Sequence, residues 1–450
     1  LMTQPDNVEG HLIDECSHQN QLYVARSDGR FSVDEQGFTF SQFVFEHYVE
    51  IFQRLAQESA LPDVIIHHLS CDLDADKDVL LESNFFSFLY IAKAWQQVAG
   101  EKSVVLCALS SNMCFTGYGD QVIPEESLIL GPCKTISKEI PTIRTFYIDL
   151  AKEKATGSFI TRQQANLVLR EIAAQCSHYI GAYNGGVALR GAQRLCEYYE
   201  KVSLPIEDRA YPLREQGVYL VTGGNGGIGA TIARYLAQVY DAHVIIVSRK
   251  AEDESLSSDA HNITYLSVDV TDLGRLTDLV EGALHALNPN KLHLNGIFHC
   301  AGIADGGLIQ MRSKQQSTEV FAAKLQGSDN LGQIADQYHC DFIFNCSSLS
   351  AWIGPVGQVA YCSANNYQQA IADSGRFSTP TITVAWDAWR QVGMAVDSLA
   401  KQGLSNDVIE HGITPESVKK KIGDLMEGMK EREVEQDTRR TVASLSDQSQ

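Results

Sequence analysis

The sequence predicts an α/β protein of two units, the second a doubly wound parallel sheet. Three observations predict it. Short apolar runs of strand length alternate with amphipathic stretches along both halves, as strand–helix–strand units do. One run leads directly into a glycine-rich turn, TGGNGGIG (222–229), and then into a helical stretch. A polar segment with two prolines, KVSLPIEDRAYPLREQG (201–217), separates the halves and reads as a linker.

In the first half, strands are expected at VIIHHL (64–69), SVVLCAL (103–109) and IRTFYIDL (143–150). Helical patterns lie between them, around 82–98 and 125–138. No glycine-rich loop follows these strands, so this half reads as an α/β layer without a nucleotide site. In the second half, strands are expected at the start of VYLVTGG, at HVIIVS, and at ITYLSV (263–268), GIFHC (296–300), DFIFNCSS (341–348) and TITVAW (381–386). The resulting division is 1–215, 216–403 and a tail, 404–450. In the tail, Thr414 is placed to cap a helix with Pro415 in its first turn, and the last residues read as a polar linker.

Bulk properties narrow the function. Apolar residues make up 44% of the 450 and charged residues 20%, ordinary for a globular protein. A net charge of −20 argues against non-specific nucleic-acid binding and against an anionic membrane surface. No apolar run is long enough to span a bilayer. The chain begins LMTQPDN and so reads as a piece of a longer one. Eleven cysteines lie scattered without a CxxC pair. They read as free thiols of a cytoplasmic protein, with no metal site expected.

The glycine loop carries the first chemistry. Glycines let backbone N–H groups approach a pyrophosphate, and the helix N-terminus favours its charge. The next strand ends in Ser248 and Arg249, followed by Lys250, where an NAD site usually places Asp or Glu. Arginine suits a 2′-phosphate, which points to NADP(H). Asp269, at another strand end, either faces an adenine edge or caps the following helix. His299 in FHCAG reads as structural.

Ketone reduction needs a proton donor as well as a hydride donor. A tyrosine phenol, with a pKa near 10, needs a nearby cation to serve. Tyr361 and Asn365 share a helical face at i, i+4. Ser348 ends a predicted strand, and Lys324 lies on an earlier predicted helix in VFAAKLQGSDNL (320–331).

In the short-chain dehydrogenase/reductase superfamily the serine precedes the tyrosine by the spacing seen between Ser348 and Tyr361. The superfamily's lysine normally stands where this chain has Asn365. One branch exchanges the two, with lysine on the earlier helix. The segments VTGGNGGIG, FHCAG, AAKLQGSDNL, FNCSSLSAWIGPVGQVAYCSANNY and AWDAW, with LILGPCKTISKEIPTIRTFYIDL (128–150) in the first half, resemble that branch. It is the ketoreductase domain of modular type I polyketide synthases and of animal-type fatty acid synthases.

The resemblance covers most of the chain. It implies two Rossmann-like subdomains: a truncated structural one without cofactor over 1–215, and a catalytic one binding NADPH over 216–403. It implies that Tyr361 protonates the carbonyl oxygen, Ser348 orients it, Lys324 lowers the tyrosine pKa, and Asn365 positions Lys324 or a relay water. NADPH contacts are expected from Thr222, Gly223, Gly224, Asn225, Gly226, Gly227, Ile228 and Gly229. Others are expected from Ser248, Arg249, Asp269, Val270, Ala301 and Gly302, with Lys324 and Tyr361 reaching the same cofactor. Trp352, Gln358, Trp386 and Met394 resemble the substrate contacts and lid, although Asp387 and Ala388 stand where the family more often has Gly-Pro.

The implied reaction is reduction of a 3-ketoacyl thioester held on an acyl carrier protein, alongside other domains of the same synthase. The alternatives are a catalytically inactive scaffold, a fatty acid synthase ketoreductase, and a free-standing reductase, which would not need the large first half. Ala304, Asp305 and Gly306 replace the family's Leu-Asp-Asp, which leans toward an L-hydroxy product. VDSL (396–399) resembles a carrier attachment motif, but too few residues follow it to build a carrier.

Overall fold

The computed structural model describes residues 1–3, 10–17, 22–34, 37–69, 77–117, 120–151, 161–177, 185–199, 213–249, 262–290, 292–394, 396, 412–417, 422 and 426. Packing divides the chain into two compact units. The first comprises 1–199, 306–314 and 352–370; the second comprises 200–305, 315–351 and 371–450. This grouping is discontinuous in sequence, unlike the division drawn above at 215/216.

Among the described residues, the first unit holds a nine-stranded sheet. Its strands are β1 (Met2–Thr3), β2 (Ala25–Ser27), β3 (Ser32–Asp34), β4 (Gly37–Phe40), β5 (Val64–His68), β6 (Val104–Ser111), β7 (Ile143–Leu150), β8 (Val187–Arg190) and β9 (Gln193–Cys196). Their order is β3-β4-β2-β1-β5-β6-β7-β8-β9. The sheet is parallel except at its two margins, where β3/β4 and β8/β9 pair antiparallel. β5, β6 and β7 are the three expected strands. They are visible in the sequence because strands covered on both faces read as unbroken apolar runs. Helices Phe45–Gln57 and Ser87–Ala99 bring Phe52 and Trp95 edge to face at 5.3 Å.

The segment 352–370 carries most of helix Val359–Ser374. Within this unit the Ser363 hydroxyl donates to the Leu128 carbonyl at 2.6 Å, and Lys134 donates to Asn366 at 3.3 Å. Gly131 sits so close beneath that a Cβ there would collide with the Ser363 side chain and the Val359 carbonyl. Glycine is therefore required for the helix to seat.

A buried ion network lies at the C-terminal ends of β6, β7 and β8. Arg190 reaches Asp120 at 2.6 Å and Asp149 at 2.7 Å, with exposures of 5%, 2% and 0%. It also donates to the carbonyls of Asp149 and Cys114. Asp149 accepts from the backbone N–H groups of Met113 and Cys114. Burial pushes the Asp149 carboxyl up against the pull of Arg190. Ligands of α/β sheets bind beyond this end of the strands; in the first unit these charged side chains fill part of that end.

The second unit holds a six-stranded sheet among its described residues. Its strands are β10 (Val218–Thr222), β11 (His243–Ser248), β12 (Ile263–Ser267), β13 (Gly296–His299), β14 (Ile343–Ser348) and β15 (Thr381–Trp386). All pair parallel, in the order β12-β11-β10-β13-β14-β15. This is the doubly wound order, and it reverses direction between β10 and β13.

Alternate residues feed two cores, as the two-residue strand period demands. Val221, Ile246, Phe298 and Phe344 pack with Ile232 and Leu236 of helix Gly227–Val239 on one face. Leu220, Ile245, Ile297 and Ile343 pack with Leu276 and Val280 of helix Leu273–Leu287 on the other.

Thr414 does cap as expected, its Oγ1 accepting from the Ser417 N–H at 3.2 Å. Most of the predicted linker (201–212), Lys250, 397–399 of VDSL and most of the tail lie outside the described residues. Among the described residues no helix is long and apolar enough to cross a membrane, and no cluster of His, Cys, Asp or Glu is arranged to hold a metal ion.

Candidate active site

The site is built where the sheet of the second unit reverses. β10 ends at Thr222, and the chain turns through Gly223, whose φ of +69° favours glycine. A Cβ on Gly223 would fall 2.8 Å from the Ala301 nitrogen, so the two loops touch backbone to backbone. The Gly226 N–H donates to the Gly223 carbonyl at 2.9 Å, and the Gly226 carbonyl accepts from Ala230. Helix Gly227–Val239 starts there, its free N–H groups at the turn.

A cavity of about 320 Å³ opens at this point. It is lined by Thr222, Gly223, Asn225, Gly226, Gly227, Ile228 and Gly229 from the glycine turn. Ser248, Arg249, Asp269, Val270, Ala301, Gly302 and Met394 complete the expected residues around it. Gly224 is packed against Ile246 instead. Gly and helix N-terminus together suit an anionic diphosphate, and a Cβ on Gly229 would fill the turn.

Arg249 is 63% exposed and stands 3.8 Å from Asp269, which is 41% exposed. An ion pair this open contributes only about 0–1 kcal/mol. The Asp269 carboxylate also accepts from the N–H and hydroxyl of Thr271. Asp269 is therefore not the helix cap. Asp272 takes that role, accepting from the Arg275 N–H at 3.1 Å.

His299 is fully buried below the cavity. Its Nε2 faces the Ala323 carbonyl at 3.1 Å, so that nitrogen carries the proton. Nδ1 then accepts from the Thr222 hydroxyl at 2.7 Å, and the Thr222 oxygen accepts from the Ala301 N–H. Burial, then the charge of Lys324, pushes the imidazole down to about 3. It is a neutral strut that ties β10 and β13 to helix Lys314–Lys324.

Lys324 ends that helix, 2% exposed. Its Nζ donates to the Cys346 carbonyl at 2.9 Å. Its stem runs under Gly302, where a Cβ would lie 3.2 Å from Cε. Burial lowers its pKa to about 8, opposed by the thiols of Cys346 and Cys300.

Ser348 ends β14 in the same unit, its hydroxyl accepting from the Ser350 N–H at 3.1 Å. Tyr361 and Asn365 stand one turn apart on helix Val359–Ser374, in the part that packs with the first unit. Asn365 is fully buried and donates to the Tyr361 carbonyl at 2.8 Å. The four expected catalytic residues are thus divided between the units, two in each.

Of the expected lid residues, Met394 lines the cavity. Trp386 is 2% exposed and lies in the core, 5.7 Å from the Trp389 ring, because its position on β15 faces inward. Trp352 belongs to the first unit, where its Nε1 donates to Gln369 and its ring meets Tyr199. Gln358 supplies the carbonyl that accepts from Cys362 as the helix begins.

Sequence reasoning missed Cys300, Glu319, Ala322 and Ala323, which also line the cavity. The last three recur at i, i+3, i+4 just before Lys324, a helical stripe that the sequence carries in plain sight.

Residues 217–391 match the family model described as the KR domain. Polyketide synthase PksN of Bacillus subtilis (strain 168) is 31% identical over 237 residues, 49% of this chain and 4% of that protein. Erythronolide synthase EryA3 of Saccharopolyspora erythraea is 26% identical over 313 residues, 66% of this chain and 9% of that one. The chain therefore spans less than a tenth of either protein. Among solved structures, an A1-type ketoreductase superposes with a TM-score of 0.76 at 21% identity, over 99% of this chain and 88% of that one. An N-terminal ketoreductase from the macrolactin assembly line gives 0.72 at 20% identity, over 97% and 88%. These likenesses extend across both sheets and show the fold.

Proposed function

Because residues 217–391 match the KR domain family model, we propose that the chain is the ketoreductase of a polyketide synthase. It uses NADPH to reduce the 3-keto group of an acyl thioester carried on an acyl carrier protein, beside other domains of the same synthase. The observation that carries this reading is the cavity at the sheet reversal, which has a glycine turn and a helix N-terminus at one side and Arg249 at another. The buried ammonium of Lys324 lies beneath Gly302 of its lining.

NADPH, when bound, supplies the hydride to the carbonyl carbon. The chain's own residues do the rest. The N–H groups at the start of helix Gly227–Val239 hold the diphosphate, and Arg249 takes the 2′-phosphate. Ser348 holds the carbonyl oxygen by its hydroxyl. Tyr361 gives that oxygen a proton as negative charge grows on it. Lys324, as the ammonium, favours the tyrosinate left behind. Asn365 positions that lysine or the water that returns the proton.

Arg249 makes the cofactor choice testable. Arg249→Ala should weaken NADPH binding about 10- to 100-fold, the usual worth of hydrogen bonds to a charged group. NADH binding should barely change. Titrating both nucleotides by fluorescence against wild type and variant decides it. An equal loss for both nucleotides counts against a 2′-phosphate role.

Lys324 predicts two opposite pH trends. With a pKa near 8, its ammonium is lost as pH rises through that value, so kcat/KM should fall there. Stability should move the other way. The folded-state pKa lies below the ordinary 10.5, so the unfolded chain binds more protons between about 8 and 10.5. Across that window wild type should gain up to about 3 kcal/mol relative to Lys324→Met. Denaturant titrations of both proteins at several pH values read this directly.

A further inference from the structure

We propose that Cys300 and Cys346 are a redox modification site, which a peroxide oxidises to a disulfide that disturbs the Lys324 side of the cavity. The two sulfurs lie 3.3 Å apart. The register of β13 on β14 pairs His299 with Asn345, so the next two residues, Cys300 and Cys346, face each other on the same side of the sheet. Neighbouring strands are about 4.7–4.9 Å apart, within the Cα separation of about 4.4–6.8 Å that a disulfide spans. The backbone is thus already spaced for the bond, and the sulfurs need only close to about 2.05 Å.

Access and electrostatics give the two thiols different parts. Cys300 lines the cavity and is partly exposed, whereas Cys346 lies behind it, 6% exposed. An oxidant entering the cavity meets Cys300 first. The hydrogen bond from Cys300 holds Cys346 below its usual range against the effect of burial, with Trp386 and the Lys324 ammonium adding to that, and the same hydrogen bond holds Cys300 well above its own range. Cys346 also supplies the carbonyl that anchors the Lys324 Nζ at 2.9 Å. Drawing its side chain toward Cys300 therefore strains the residue that holds the lysine.

The step balances. The Cys346 thiol first gives its proton to solvent. Cys300 then passes its own proton to the Cys346 thiolate and attacks one peroxide oxygen, forming a sulfenic acid as the O–O bond breaks and hydroxide leaves. Cys346 then attacks that sulfur. The S–S bond forms, the S–O bond breaks, and the second oxygen leaves as hydroxide. The proton carried by Cys346 and the one given to solvent convert both hydroxides to water. Two electrons pass from the thiols to the peroxide.

The test is hydrogen peroxide treatment of the whole chain, alkylation of remaining thiols, and peptide mapping without reduction. The exposed Cys176 and Cys196 report that oxidant was present. The expected result is a Cys300–Cys346 cross-link, removed by dithiothreitol and absent in Cys300→Ala. Oxidation should lower NADPH turnover about tenfold to a hundredfold, as roughly ångström misplacements do, and reduction should restore it. Separate alkylation of Cys300 and Cys346 while Cys176 and Cys196 are oxidised would overturn the proposal. A complete cross-link with turnover unchanged would overturn its coupling to Lys324. The turnover arm rests on the ketoreductase reading. If the reduced chain shows no turnover, that reading fails, and the peptide map alone still decides for or against the disulfide.

Discussion

Replacing Tyr361 with phenylalanine is expected to lower kcat about 10²- to 10⁴-fold, the usual worth of a positioned general acid. The substitution removes one oxygen and leaves the ring on helix Val359–Ser374 in place. NADPH affinity should therefore change by less than about tenfold, the loss of a single neutral hydrogen bond. The split between kcat and binding is the informative part. If binding and turnover fell together, Tyr361 would be a packing residue of the helix. If neither fell, the proton would come from elsewhere. Asn365→Ala is expected to be milder, since Asn365 donates to the Tyr361 carbonyl and, in the proposed mechanism, acts only through position.

The second large effect is on stability and falls in the first unit. Arg190→Met leaves Asp120 and Asp149 buried without their cation, which typically costs about 3–5 kcal/mol. Hydrogen exchange in β6, β7 and β8 should accelerate accordingly, while β10 to β15 serve as the internal comparison. Adding Asp120→Asn and Asp149→Asn should recover much of the loss, because removing a whole buried ion cluster is often close to neutral. An Arg190→Met chain with unchanged exchange in β6 to β8 would mean that the network contributes nothing to holding those strand ends.

The legible parts of this fold share a cause. β10, β11 and β13 are buried on both faces, so each appears as a nearly continuous apolar run. The glycine turn was legible because its strand and helix flank it in the sequence. β1 to β4, β8 and β9 are two to four residues long, too short for any periodicity to emerge. The seating of helix Val359–Ser374 depends on Leu128 and Gly131, more than two hundred residues away, and no local pattern reports such a contact. The Arg190 network is hidden for the same reason, being drawn from two strand ends and the loop after β6.

The site shows the same division. Lining residues that belong to the glycine turn or to strand ends were readable from their neighbours. Asp269 was open to two readings because a carboxylate at a strand end suits either role. Asp272, three residues on, takes the cap and leaves Asp269 on the cavity wall. The Cys300–Cys346 pair depends on strand register, which the sequence does not spell out.

The central claim is that this chain turns over NADPH on a 3-ketoacyl thioester. The most direct measurement follows NADPH absorbance with such a thioester on an acyl carrier protein and identifies the product by chiral chromatography. The account predicts one 3-hydroxyacyl thioester formed per NADPH consumed, in a single configuration, with the L-hydroxy product favoured by the missing Leu-Asp-Asp. A chain that binds NADPH tightly yet consumes none across several acyl thioesters would contradict it and would leave a nucleotide-binding scaffold.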